Sequence, residues 1–260
     1  MSEDSDLDTL RDHPRFASLT QAPKYPSTAG GRPVVFPSEG GWDVYGHLYE
    51  SKTTSPQLAP NLLLFHQSGS NHAEYFPIAP RLAKLGYNCI AIDARGGGDS
   101  YGRGNETVTV HGERGGGAEA YFDFKAALRY LDEKGFKGKR VLWGSSYSAG
   151  RLFAVLADKP ERVAAALAFS PGRAFARSGE SGEASWASQV EVPVFVCMPF
   201  REFDAKAMAR FEAIAGDDRW LYVPTSGGSH GSSMLRPDRN PQGHEAAWVE
   251  VLSFLEAHLQ

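Results

Sequence analysis

From residue 61 onward the chain alternates short, continuous apolar runs with longer stretches of helical spacing. The runs Asn61-Leu62-Leu63-Leu64-Phe65, Cys89-Ile90-Ala91-Ile92 and residues 141–143, 164–169, 192–197 and 220–223 read as strands. Continuous apolarity is expected of strands covered on both faces of a parallel sheet. Residues 74–85 have helical spacing and stop at Gly86. Residues 118–131 carry Phe122, Ala126, Ala127 and Tyr130 at helical intervals, and residues 151–157 continue another helix. Residues 244–258 form a closing helix with Ala247, Val249, Val251, Leu252, Leu255 and Leu259 expected on its inner side. Residues 34–50 instead alternate apolar and polar positions around Gly40-Gly41, the pattern of a β-hairpin.

Strands alternating with helices predict an α/β fold with a mostly parallel, eight-stranded sheet covered by helices on both faces. One domain is expected over residues 33–260. Residues 1–32 are polar and broken by prolines, and read as an N-terminal arm. Residues 172–191, rich in Gly, Ser and Ala, are expected to form a flexible rim.

Composition narrows the function. The net charge is −4, which argues against nucleic acid or an anionic membrane surface as a partner. No apolar run approaches the length of a membrane span. The first residues, Met1-Ser2-Glu3-Asp4-Ser5-Asp6, are acidic, unlike a secretory signal. Cys89 and Cys197 lie inside apolar runs and read as buried free thiols, which suggests a reducing, cytoplasmic setting. The oligomeric state is not legible.

The candidate chemistry begins at Arg140-Val141-Leu142-Trp143-Gly144-Ser145-Ser146-Tyr147-Ser148-Ala149-Gly150. An apolar run stops at a glycine, a serine follows two residues later, and small residues lead into a helix. That is the pattern of a strained strand–turn–helix elbow that exposes a serine nucleophile. The residues two before and two after the serine come close together and must be small. Around Ser146 these are Gly144 and Ser148. A second register makes Ser148 the nucleophile, but Ser146 lies where the strand should end and is preferred.

A serine hydroxyl needs a base, the base an orienting acid, and the developing oxyanion hydrogen-bond donors. His230 follows the last strand inside Ser226-Gly227-Gly228-Ser229-His230-Gly231-Ser232 and is the base candidate. Of the other histidines, His13, His244 and His258 read as surface or terminal residues, His47 lies in the hairpin, and His72 and His111 lie in loops. The acid candidates, Glu202 and Asp204, follow the seventh strand. Asp204 also suits the N-cap of a helix. The backbone N–H of Tyr147 is one expected oxyanion donor. The second is Gln67 or Ser68 from the loop after the third strand, with Gln67 preferred.

Together these segments resemble the α/β-hydrolase superfamily over nearly the whole chain, and most closely its compact dienelactone-hydrolase-like and small esterase members. His66-Gln67-Ser68-Gly69 resembles the family's His-Gly oxyanion loop, with Gln67 where glycine is commoner; His66 is then a brace for that loop. Asp93-Ala94-Arg95-Gly96-Gly97-Gly98-Asp99-Ser100 resembles the turn after its fourth strand, and Pro160-Glu161-Arg162-Val163 the segment after its elbow helix. The family's acid register, counted from Pro193, lands on Glu202. Residues 172–191 leave little room for the large cap domain that many members insert there.

The resemblance implies a serine hydrolase for small-molecule carboxylic esters, using no metal or organic cofactor. Phe200, Phe203 and Trp186 are candidates for an apolar acyl wall, with core packing an equal reading for the phenylalanines. Amide or peptide cleavage on the same triad, and a non-catalytic binding protein of the same fold, are the alternatives.

Overall fold

The computed structural model describes residues 31–172 and 185–259. The expected arm thus lies outside the described residues, apart from Gly31 and Arg32. Eight strands form one sheet: β1 (Arg32–Ser38), β2 (Trp42–Tyr49), β3 (Asn61–Phe65), β4 (Asn88–Asp93), β5 (Arg140–Ser145), β6 (Val163–Phe169), β7 (Val194–Cys197) and β8 (Arg219–Tyr222). Their order is β1-β2-β4-β3-β5-β6-β7-β8. β1 pairs antiparallel with β2, and β2 with β4. From β4 to β8 every pairing is parallel. The helices are α1 (Ala79–Lys84), α2 (Glu106–His111), α3 (Ala120–Glu133), α4 (Tyr147–Ala157), α5 (Ala205–Glu212) and α6 (His244–Leu259).

Successive residues of a strand point to opposite faces, so each continuous apolar run feeds two cores. Leu63, Phe65, Ile90, Ile92, Leu142 and Val196 pack on one face with Phe124, Leu131, Leu152 and Phe153 of α3 and α4. Leu62, Leu64, Val141, Trp143, Leu167 and Phe195 pack on the other with Leu82 of α1 and Trp248, Val251, Phe254 and Leu255 of α6. The hairpin turn is made by Gly40 and Gly41, both at positive φ (78° and 77°).

Several elements differ from the sequence reading. The helix expected over residues 74–85 is divided into a 3-10 turn, His72–Tyr75, and α1. Pro77 lies between them, and its ring leaves no N–H to continue the ladder. On α6 the inner face is Ala247, Trp248, Val251, Phe254 and Leu255, whereas Val249 is exposed. A helical stripe excludes the neighbour two residues from Val251. The short α2 was not anticipated. Its start is set by the Asn105 side chain, which accepts from the Val108 N–H, and its end by Gly112 in the left-handed region. Of the expected rim, residues 173–184 lie outside the described residues, and Trp186–Gln189 forms a 3-10 turn. No large cap covers the sheet among the described residues, and none of their helices is long and apolar enough to cross a membrane.

Phe124 stacks on Phe65 at 3.9 Å between centroids, both fully buried below the loop that follows β3. Phe124→Ala should lower the free energy of unfolding by about 3–5 kcal/mol, measured by urea denaturation.

Candidate active site

Ser146 stands between the end of β5 and the start of α4 with φ 56° and ψ −114°. This is a costly conformation for a residue with a Cβ, and it persists only where the surroundings enforce it. Two enforcing contacts are visible. The Ser146 N–H donates to the Phe169 carbonyl at 2.7 Å, tying the turn to β6. A Cβ on Gly144 would lie 2.5 Å from the Ala149 nitrogen, so only glycine lets α4 start this close to the strand. Ser148 occupies the other close-packed position. It is buried, and its hydroxyl donates to the His66 carbonyl at 2.5 Å, which ties α4 to the loop after β3.

His230 lies after β8, at the start of a 3-10 turn, Gly231–Leu235. Gly227, Gly228 and Gly231 around it all have positive φ. Its Nε2 is 2.7 Å from Ser146 Oγ, and its Nδ1 is 2.7 Å from Glu202 Oε1. A carboxylate can only accept, so the ring proton sits on Nδ1 and Nε2 is left to accept from the serine hydroxyl. Glu202 closes a 3-10 turn after β7, Phe200–Glu202. Asp204 is two residues further on. Its side chain accepts from the Ala207 N–H at 2.7 Å as the N-cap of α5. The chain therefore brings Ser146, His230 and Glu202 together, while the Asp204 carboxylate is occupied in starting a helix.

The electrostatics follow from these contacts. The hydrogen bond to Glu202 raises the His230 pKa above the ordinary value, outweighing partial burial. Burial alone would push the Glu202 carboxyl up. Hydrogen bonds from His230 and Ser170, with the imidazole's charge, outweigh it and hold the group below the usual carboxylate range.

The loop after β3 faces the elbow. His66 is buried, with its Nε2 accepting from the Ala94 N–H (3.0 Å) and its Nδ1–H donating to the Gln67 carbonyl (2.7 Å). Burial lowers its pKa, so it is a neutral brace. The Gln67 N–H is occupied, donating to Glu74 Oε2 at 2.9 Å. Ser68 follows, and its hydroxyl accepts from Arg114 at 3.0 Å.

A family profile described as the α/β-hydrolase fold matches residues 60–187. This chain is an α/β-hydrolase-fold protein. Among solved structures it is similar to an esterase of Pyrococcus furiosus, with a TM-score of 0.65 and 17% identity, covering 88% of this chain and 92% of that one. It is similar to the same degree to a dienelactone hydrolase of Anabaena variabilis (TM-score 0.65, 16% identity, 88% and 98% covered). An acylaminoacyl peptidase of Pyrococcus horikoshii superposes with TM-score 0.64 at 14% identity, over 87% of this chain but 41% of its own. In sequence, the quorum-quenching protein AidA of Acinetobacter baumannii is 26% identical over 132 residues, half of this chain and 41% of that protein.

A cavity of about 300 Å³ opens beside the imidazole, lined by Gln67, Ser100, Tyr101, Ser229, His230, Ser233 and Arg239. Among the described residues every lining side chain is polar. The apolar wall expected from Phe200, Phe203 and Trp186 does not line it. Phe200 and Phe203 are also not core residues, being 55% and 37% exposed, and Trp186 is partly buried near the Arg151 guanidinium. Tyr101 was missed by sequence reading. It sits at positive φ (53°), its hydroxyl touching Gln67 and Ser233 and its ring centroid 4.3 and 5.4 Å from the guanidinium carbons of Arg236 and Arg239. Ser170, also missed, accepts from the Gly231 N–H at 3.0 Å while bonding Glu202, and so links base loop to acid. No local motif marks either residue.

The remaining histidines are placed more tightly than expected. His72 is a buried member of the 3-10 turn, with Nδ1 2.8 Å from Asp93 Oδ1. His111 ends α2 rather than lying in a loop, and its ring is 3.6 Å from that of Trp42. His244 and His258 are half-buried on α6, His258 in its last turn, whereas His13 lies outside the described residues. Among the described residues no three His, Cys, Asp or Glu side chains are arranged to hold a metal ion.

The pairing of His230 with Glu202 has a direct spectroscopic consequence. Glu202→Gln should lower the pH at which the His230 ring titrates, by NMR, whereas Asp204→Ala should leave it where it is and weaken α5 instead by removing its N-cap. The reverse outcome would move the orienting acid to Asp204.

Proposed function

We propose that this chain hydrolyses carboxylic esters of small molecules through an acyl-enzyme on Ser146. The observation that carries the reading is the pair of 2.7 Å contacts joining Ser146 to His230 and His230 to Glu202, at a serine held in a strained elbow. In the first half-reaction Ser146 Oγ bonds to the acyl carbon as its proton passes to His230 Nε2. Glu202 stabilises the imidazolium by accepting from Nδ1–H. The tetrahedral oxyanion is met by the N–H of Tyr147, at the start of α4, and by a second donor from the loop after β3. Because the Gln67 N–H is already bound to Glu74, Ser68 replaces Gln67 as the preferred second donor. Each such donor is worth about 3–4 kcal/mol of transition-state stabilisation in well-studied hydrolases. His230 then returns the proton to the leaving alcohol, and water, activated by the same imidazole, releases the acid.

The cavity beside His230 supports the kind of ester. Its wall of hydroxyl, amide and guanidinium groups suits a short or polar substrate better than a long aliphatic one. The likeness to an esterase and a dienelactone hydrolase is consistent with this chemistry, although at such identities it speaks for the fold.

Wild-type protein should react with a fluorophosphonate probe and turn over short-chain aryl esters. Ser146→Ala should abolish labelling and cut turnover by roughly ten-thousand-fold or more. Labelling that survives in Ser146→Ala would remove Ser146 from the mechanism. Because Glu202 raises the His230 pKa, kcat/KM should climb with pH through a value above the ordinary histidine value of about 6.5. A profile flat across that range would remove His230 as base.

A further inference from the structure

We propose that Glu74 is a positioning residue of this site: its buried carboxylate clamps the loop after β3 to the elbow and to the histidine loop. The inference rests on the ester-hydrolase reading and deepens it. Glu74 belongs to the 3-10 turn after β3 and is fully buried. A buried carboxylate is costly unless each oxygen is bonded. Here Oε2 accepts from the Gln67 N–H at 2.9 Å, and Oε1 accepts from the Ser145 hydroxyl at 2.5 Å. Ser145 Oγ in turn accepts from the Ser232 N–H at 2.9 Å, two residues beyond His230. One carboxylate therefore joins the residue before the proposed nucleophile, the loop of the proposed oxyanion donor, and the loop of the proposed base.

Three further features suit this role. The Ser145 hydroxyl has one proton, and among the described contacts Glu74 is its acceptor. A protonated Glu74 donating to Ser145 would leave that proton without a partner, so the network is satisfied by the charged form. Arg236 supplies a nearby positive charge, its Nη1 donating to the carbonyls of Ala73 and Glu74 at 3.0 and 2.7 Å. A Cβ on Gly231 would fall 2.2 Å from Ser145 Oγ, so only glycine allows the histidine loop to press against the clamp.

The clamp has two effects. It occupies the Gln67 N–H, which leaves the oxyanion role proposed for this loop to Ser68. It also sets a second negative charge near His230. The charged and titratable groups around His230 are Glu202 and Glu74, which favour the imidazolium, and Arg201, which opposes it. Arg239 lines the cavity beside the ring. Burial raises the Glu74 pKa above the ordinary carboxylate value, and the hydrogen bonds from Ser145 and Gln67, with the charges of Arg236 and His230, offset only part of that rise. Tyr75 and Tyr101 also face it.

The test compares Glu74→Gln and Ser145→Ala with wild type in the full chain. Glu74→Gln removes the charge and turns an amide N–H₂ toward one of two donors. His230 should then titrate lower by about half a unit or more, by NMR. The kcat for a short-chain ester should drop roughly tenfold or more, with KM within about threefold. Ser145→Ala keeps the charge and cuts the link, so kcat should fall while the His230 titration stays in place. A merely structural role would lower the melting temperature without moving the titration. A Glu74→Gln protein that titrates or turns over as wild type overturns the proposal. If Glu74→Gln does not fold, Ser145→Ala decides: wild-type turnover overturns the clamp, and lowered kcat at unchanged KM supports it. A wild-type protein inert toward esters and fluorophosphonate overturns the ester-hydrolase reading itself. The NMR titration of Glu74→Gln then still tests the coupling of Glu74 to His230.

Discussion

The site depends on one backbone conformation, the left-handed turn at Ser146. A side-chain-bearing residue does not rest there unaided. It is held because β5 ends beside β6, with the Ser146 N–H bonded to the Phe169 carbonyl, and because Gly144 lets α4 begin almost on top of the strand. Relaxing either contact would release the turn, and the hydroxyl would leave the reach of His230. The stability of the parallel sheet is therefore what keeps one serine in a poor conformation.

The other groups reach Ser146 because parallel strands end on one side. The loops after β3, β5, β7 and β8 leave from the carboxyl edge of the sheet, where open α/β sheets place their sites. Each loop is then fastened to a neighbour by polar contacts. Ser148 bonds the carbonyl of His66, Ser170 links Gly231 to Glu202, and Glu74 joins Gln67 to Ser145. Beneath them Trp143 donates to Ser232, so the histidine loop is also anchored to the sheet. The fastening is local: hydroxyl side chains and one buried carboxylate bridge loops that share no secondary structure.

Much of this was legible along the chain. The apolar runs marked six strands; those inside the sheet are buried on both faces and have few polar positions to disguise them, while β8 at the edge is half-buried. Gly144, Ser146 and the glycines around His230 stood out because tight turns admit few residue types. What local reading missed has physical causes as well. Val249 fits an apolar count on α6, yet a helix has only one buried stripe, and Trp248 and Phe254 fill it. The division of residues 74–85 was written in Pro77 but outweighed by helical spacing. Gln67 and Ser68 could not be told apart along the chain, because the group that occupies the Gln67 N–H is a carboxylate seven residues away.

By itself the sequence determined the architecture, the position of the elbow and the order of the candidate groups, because these follow from periodicity and from the steric demands of turns. Only the tertiary structure decided between Glu202 and Asp204 as neighbour of His230, showed a polar cavity where an apolar wall was expected, and brought Glu74 beneath the site. Those outcomes depend on which side chains meet across separate loops. Distances between such side chains are set by the packing of the sheet and its helices, and no local pattern of residues encodes them.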